Sequence, residues 1–210
     1  GDDTWRGVLS AACGMHRRLY ALAGGFDPGI VGYGGEDWDL AWRCDQAGGR
    51  LLHVPDAVAW HDGPDWSGRG ADTAAERARR LREKNAETAR LAPLIASPLT
   101  RPPGAIFALP SIAVHVPADA PDFSGTAAAT CASLMTWGDV AVTVSPGGPD
   151  EQLIAELFRD DPRVSIAAPG RWDGPGDGSG GGGPRRRPPV LVDLHRPCAL
   201  GTVDARRLRA

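Results

Sequence analysis

Between Ile112 and Asp193 the chain alternates short β-branched runs with helical patterns. Ile112–Val116, Val140–Ser145, Arg163–Ala167 and Val190–Asp193 read as strands, and Thr126–Trp137 and Glu151–Phe158 as helices. Strands separated by helices cannot pair through tight hairpins. They need crossover connections, so this spacing predicts an α/β fold built on a parallel sheet. Asp173–Pro189 breaks the pattern with Gly, Pro and Arg, and it reads as a mobile low-complexity loop. Its basic run, Arg185-Arg186-Arg187, reads as solvated linker charge.

The first part of the chain is organised differently. Ser97–Gly104 is a Pro-rich break, which divides the chain into residues 1–97, a linker at 98–104, and residues 105–210. In the first region His16–Ala23 reads as a short helix stopped by Gly24-Gly25. Glu36–Ala47 reads as a second helix with acidic residues in its first turn, where the helix dipole favours them. Arg50–Val54 and Ala57–Trp60 read as two short strands around Pro55-Asp56. Ala71–Leu91 reads as a long, charge-laced surface helix with a thin apolar stripe.

Composition removes several function classes. Hydrophobic residues make up 42% and charged residues 23%, so a wholly disordered chain is excluded. The formal net charge of -3 argues against a broad basic face for nucleic acid. No apolar run approaches the roughly 20 residues that a membrane-crossing helix needs. Cys13, Cys44, Cys131 and Cys198 form no CxxC or CxxH pair, so a structural zinc site is not expected. They read as free thiols of a reducing compartment. With Gly1 in place of an initiator Met, the start reads as a cut or processed end.

Chemistry concentrates in Gly32-Tyr33-Gly34-Gly35-Glu36-Asp37-Trp38-Asp39-Leu40. The glycines allow a tight turn and close ligand approach. Two adjacent carboxylates then open a helix, pointing about 100° apart. One can accept hydrogen bonds from a polyhydroxylated ligand while the other takes a proton from an attacking hydroxyl. Tyr33 and Trp38 offer flat faces of the kind on which sugars stack. On the residues alone, Glu36 and Asp37 could equally be plain helix caps. His53 reads as structural, and His16 and His115 have no partner visible in the sequence.

The surrounding blocks extend the pattern: Met15–Tyr20, Gly24-Gly25-Phe26-Asp27, Gly34–Arg43, Gly48-Gly49-Arg50-Leu51, Val54-Pro55-Asp56-Ala57 and Trp60-His61. In order and spacing they resemble the acceptor-side half of a GT-A glycosyltransferase, similar to glycosyltransferase family 2 and the galactosyltransferase C-terminal domain. The resemblance implies that Asp37 is the catalytic base of an inverting transfer. Glu36 would bind acceptor hydroxyls, with Trp38 and Tyr33 beside it, and Gly34 and Gly35 would line the cleft. His61 would be a ligand for the Mn2+ or Mg2+ that offsets charge on the leaving diphosphate.

Residues 110–210 faintly resemble the nucleotide-binding half of the same fold, a small Rossmann-like α/β region. Val190–His195 matches the strand that carries an Asp-X-Asp metal motif in relatives, which makes Asp193 and His195 secondary metal candidates. Ser145 and Pro146 stand where relatives carry nucleotide-contacting acids, and His195 stands for the second metal aspartate. This half is therefore expected to be degenerate. Three arrangements follow: a piece of a tandem protein, an unrelated accessory domain, or a permuted single domain. The implied activity is transfer of a sugar from a nucleotide-sugar donor to a carbohydrate or lipid-linked acceptor, in cell-wall or exopolysaccharide biosynthesis. The expected location is the cytoplasm or the inner face of the membrane. The competing expectation is a non-catalytic carbohydrate-binding or scaffolding module.

Overall fold

The structure is a computed structural model that describes residues 4–9, 12–31, 34–60, 62, 73–102, 104–119, 124–168 and 190–198. The described residues fall into two compact units, one ending at Ile95 and the other starting at Ala96. The expected loop at 173–189 lies outside the described residues. No helix among the described residues is long and apolar enough to cross a membrane.

In the first unit a 3-10 turn over Thr4–Gly7 precedes three helices: α1 (Arg17–Ala23), α2 (Glu36–Gln46) and α3 (Ala74–Leu91). His16 caps α1, its ring Nδ1 accepting from the Arg18 amide at 3.2 Å. Gly24 ends the helix at φ 82°, a left-handed conformation that lets its amide reach the carbonyls of Tyr20 and Ala21. Thr73 and Glu76 form a reciprocal capping box at the start of α3. One small core gathers Trp5, Ala41, Leu91 and Ile95, and another gathers Ala23, Leu40 and Cys44. α3 buries only Leu91, as its thin stripe predicts.

Residues 50–60 do not form the two predicted strands. Pro55-Asp56 makes the expected turn, with the Ala57 amide donating to the Val54 carbonyl at 3.0 Å. The flanking segments pair with no strand among the described residues and leave Leu52, Val54, Val58 and Trp60 exposed. β-propensity is realised only where a neighbouring strand supplies the ladder.

The second unit carries one four-stranded parallel sheet. Its strands are β1 (Ile112–Val116), β2 (Val140–Val144), β3 (Val164–Ile166) and β4 (Val190–Asp193), in the order β3-β2-β1-β4. Helix α4 (Thr126–Met135) links β1 to β2, and α5 (Glu151–Leu157) links β2 to β3. Side chains alternate across the sheet. Ile112, Val114, Val116, Val140, Val142 and Val144 are fully buried with Cys131 and Leu134 of α4 and Ile154 of α5. The opposite face carries His115, Thr143, Ser165 and Asp193, with His115 opposite Thr143 on one side and Asp193 on the other.

The predicted linker at 98–104 is corrected by its packing. Ser97, Thr100 and Arg101 are buried, and the Arg101 guanidinium pairs with Asp139 Oδ2 at 2.6 Å. The same carboxylate oxygen accepts from the Ser111 amide and hydroxyl. A buried Arg on a buried carboxylate ties this segment into the second unit, so Ser97–Arg101 is a packed turn and not a spacer.

Arg163 is the clasp of the sheet's outer edge. It donates to the Met135 and Gly138 carbonyls at the end of α4 while its Nη2 and Nε hold Asp161. That hydrogen bond from Arg163 holds the Asp161 carboxyl below its ordinary range. A carboxyl with a depressed folded-state pKa adds stability above its unfolded value near pH 4, and that stability is lost as pH falls through the folded value. We expect Asp161→Asn to lower stability by no more than about 1 kcal/mol at pH 7, since the pair is partly solvated. Thermal unfolding of both proteins from pH 7 to pH 3 should show the difference shrink as the solution acidifies.

Candidate functional site

The Gly-Gly-Glu-Asp segment enters α2 through two left-handed residues, Gly34 at φ 100° and Gly35 at φ 94°. Only glycine adopts these angles without strain. Close packing adds a second requirement. A Cβ on Gly34 would lie 2.7 Å from Glu87 Oε2, and one on Gly35 would lie 2.8 Å from Leu91 Cδ2. The glycines that the resemblance assigns to a cleft thus have α3 side chains directly against them.

Glu36 and Asp37 follow in the first turn of α2, both half-buried. Asp37 Oδ1 accepts from the Trp38 amide at 2.8 Å. Glu36 Oε2 is buried with no hydrogen-bond partner among the described residues. An orphaned carboxylate oxygen is costly unless something donates to it. Trp38 is already engaged: Arg6 lies 5.5 Å and Lys84 5.2 Å from its ring, and Trp5 meets it edge-on. Tyr33 and His61 lie outside the described residues.

The third acid of the motif has a structural task that the sequence reading left unassigned. Asp39 is fully buried, and its Oδ2 accepts from Arg43 Nη2 at 2.7 Å and Nε at 3.0 Å. Arg43 Nη1 also donates to the Ala23 carbonyl at the end of α1. The pair therefore locks α2 onto α1, behind Glu36 and Asp37. The i,i+4 spacing of Asp39 and Arg43 was its visible signal.

In the second unit, β1, β2 and β3 advance in one direction while β4 lies on the far side of β1. The switch point is the β1–β4 boundary, and in open α/β sheets ligands favour the carboxyl ends of strands at such a point. His115 stands there. Its Nδ1 lies 2.7 Å from Asp193 Oδ1, and its Nε2 lies 3.0 Å from Ser145 Oγ. The sequence reading gave His115 no role. The available signal was strand parity, which puts His115, Ser145 and Asp193 on one face.

Asp150, almost wholly buried, accepts from the Gly125 amide at 2.6 Å and the Ala128 amide at 3.1 Å. Gly125 has no side chain to cap α4, so Asp150 does so from the start of α5. The positive end of α4 is thereby filled by the protein's own carboxylate. Burial, reinforced by the Asp150 charge, pushes the Cys131 thiol up to about 11, which makes it an inert core group.

His61, the ligand that the resemblance implies for a divalent ion, lies outside the described residues. Among the described residues no three His, Cys, Asp or Glu side chains converge as a metal site. Asp193 is engaged by His115, and His195 is exposed. No protein-family model matches the chain, and no curated protein matches it.

Replacing Arg43 by Met would leave the buried Asp39 carboxylate without its guanidinium. We expect a loss of about 3–5 kcal/mol, the usual effect of breaking a buried pair from one side. The double change Asp39→Leu with Arg43→Met should recover most of it, as read by urea unfolding through tryptophan fluorescence.

Proposed function

We propose that this chain carries the acceptor side of an inverting glycosyltransferase, joined to a sheet unit with altered nucleotide contacts. What supports this is the buried Glu36 Oε2, without a hydrogen-bond partner among the described residues, one residue before Asp37 at the positive end of α2. A sugar hydroxyl would donate to Glu36. Asp37 would accept the proton of a neighbouring acceptor hydroxyl as its oxygen bonds to the anomeric carbon of the donor. The bond to the nucleoside diphosphate breaks on the opposite side, and the configuration inverts. The donor is a nucleotide sugar, and the acceptor is a carbohydrate or lipid-linked hydroxyl, consistent with work at the inner face of a membrane. A Mn2+ or Mg2+ ion would need His61 and donors beyond the described residues.

A second reading has its own observation. Glu87 and Leu91 lie against Gly34 and Gly35, and two cations lie against Trp38. These contacts favour a carbohydrate-binding or scaffolding module that keeps the motif without turnover.

The test is nucleoside diphosphate release by this chain from UDP- or GDP-sugars, with Mn2+ and a panel of oligosaccharide acceptors. Calorimetry with the same oligosaccharides, and with UDP and GDP, runs beside it. We expect Asp37→Asn to cut release by about 10²–10⁴, the usual contribution of a general base, with acceptor binding little changed. Equal release by the variant would reduce Asp37 to a helix cap. Binding without release, weakened by Glu36→Ala, would establish the module. Neither binding nor release would overturn both readings.

A further inference from the structure

We propose that Ser145, His115 and Asp193 form a nucleophile–base–orienter relay that accepts a small acyl group from an ester. The proposal is independent of the glycosyl-transfer reading, because none of its groups lies in the first unit.

The register creates the arrangement. His115 and Asp193 are direct cross-strand partners of β1 and β4. Ser145 is two residues beyond Thr143, the β2 partner of His115, and so returns to the same face. With a proton on Nδ1, His115 donates to Asp193 and its Nε2 lone pair receives the Ser145 hydroxyl proton. A base within hydrogen-bond reach of a hydroxyl, itself oriented by a third group, is the geometric signature of an activated nucleophile. The three groups come from β1, from β4 and from the residue that follows β2.

Burial grades the roles. Ser145 is only 6% exposed and the His115 side chain 20%, whereas the Asp193 side chain is 82% exposed. The nucleophile is thus sheltered from water, and only small acyl groups such as acetyl are expected to reach it. Asp193 is a positioning residue whose hold on His115 competes with solvent. The Ser145 amide donates to the Val116 carbonyl at 3.1 Å, so it is not available to a developing oxyanion. The relay therefore activates the hydroxyl without that further stabilisation, and deacylation is expected to be slow.

The chemistry balances without a redox partner. Ser145 Oγ bonds to the ester carbonyl carbon as its proton passes to His115 Nε2. The tetrahedral adduct expels the alcohol portion, which takes that proton, and leaves acyl-Ser145. Water, deprotonated by His115, then releases the carboxylic acid and restores the hydroxyl.

The probe is p-nitrophenyl acetate on the full chain in EDTA, with nitrophenol release followed optically and the adduct located by peptide mass spectrometry. We expect one acetyl group per chain on Ser145, accumulating as a burst. Ser145→Ala and His115→Gln should lower the burst rate by about 10²–10⁴, the range for loss of an activated nucleophile or its base. Asp193→Asn should lower it about tenfold or less, with near-ultraviolet circular dichroism unchanged. Acetyl found only on His115, on lysine or on cysteine would overturn the proposal, as would Ser145 labelling that His115→Gln leaves intact. If His115→Gln loses the native dichroism, the wild-type adduct and the Asp193→Asn rate decide instead. Absence of acetyl-Ser145 in the wild type defeats the proposal outright.

Discussion

The sheet unit depends on the burial of one face of β1. Ile112, Val114 and Val116 point into the cluster with α4 and α5, and all are almost fully buried. Moving β1 by one residue would expose this set and bury His115, so the apolar pattern fixes the register. Once the register is fixed, the polar face is also fixed. His115 must lie between Thr143 and Asp193, and Ser145 must follow on the same side. The polar cluster at the switch point is thus a geometric consequence of where the valines go. Its stability is underwritten by apolar burial on the other side of the sheet and not by the hydrogen bonds themselves.

The same dependence explains what could be read from the sequence. Valines at alternate positions announce β1 and β2, and glycines announce the ends of α1 and α2, because these signals act within a few residues. The stretch with strand signals at Arg50–Val54 and Ala57–Trp60 formed no strand. Its outcome turned on whether a partner strand was present, which local pattern cannot show. Ser97–Gly104 looked like spacer because three of its eight residues are proline. Its burial depends on Asp139, 38 residues beyond Arg101. His115 was silent for the same reason, since its partners are 30 and 78 residues away along the chain.

The acidic motif of the first unit shows how one short run serves two demands. Asp39 and Arg43 face inward and bind α2 to α1, while Glu36 and Asp37 sit one turn earlier at the helix mouth. An acid at the mouth is stabilised by the dipole wherever it points, so capping and chemistry look alike in sequence. Burial separates them. Glu36 Oε2 is out of water and has no partner among the described residues, whereas a capping carboxylate bonds to the helix amides. The neighbouring glycines contribute differently from a simple open cleft, because Glu87 and Leu91 occupy the space that their missing side chains leave.

Charge at the carboxyl edge of the sheet bears on which ligands suit it. Asp150 fills the start of α4, Glu151 accepts from the Gly147 amide, and Asp193 faces solvent beside His115. Three carboxylates surround the place where a parallel sheet would otherwise offer amides and helix dipole to a phosphate. A diphosphate approaching this edge meets like charge and finds the Gly125 and Ala128 amides already bonded. A neutral ester meets neither obstacle, and its reaction at Ser145 builds no phosphate charge that must be offset. Ser145, which stands where the resemblance would place a nucleotide-contacting acid, is thus the residue that gives His115 a hydroxyl to act on.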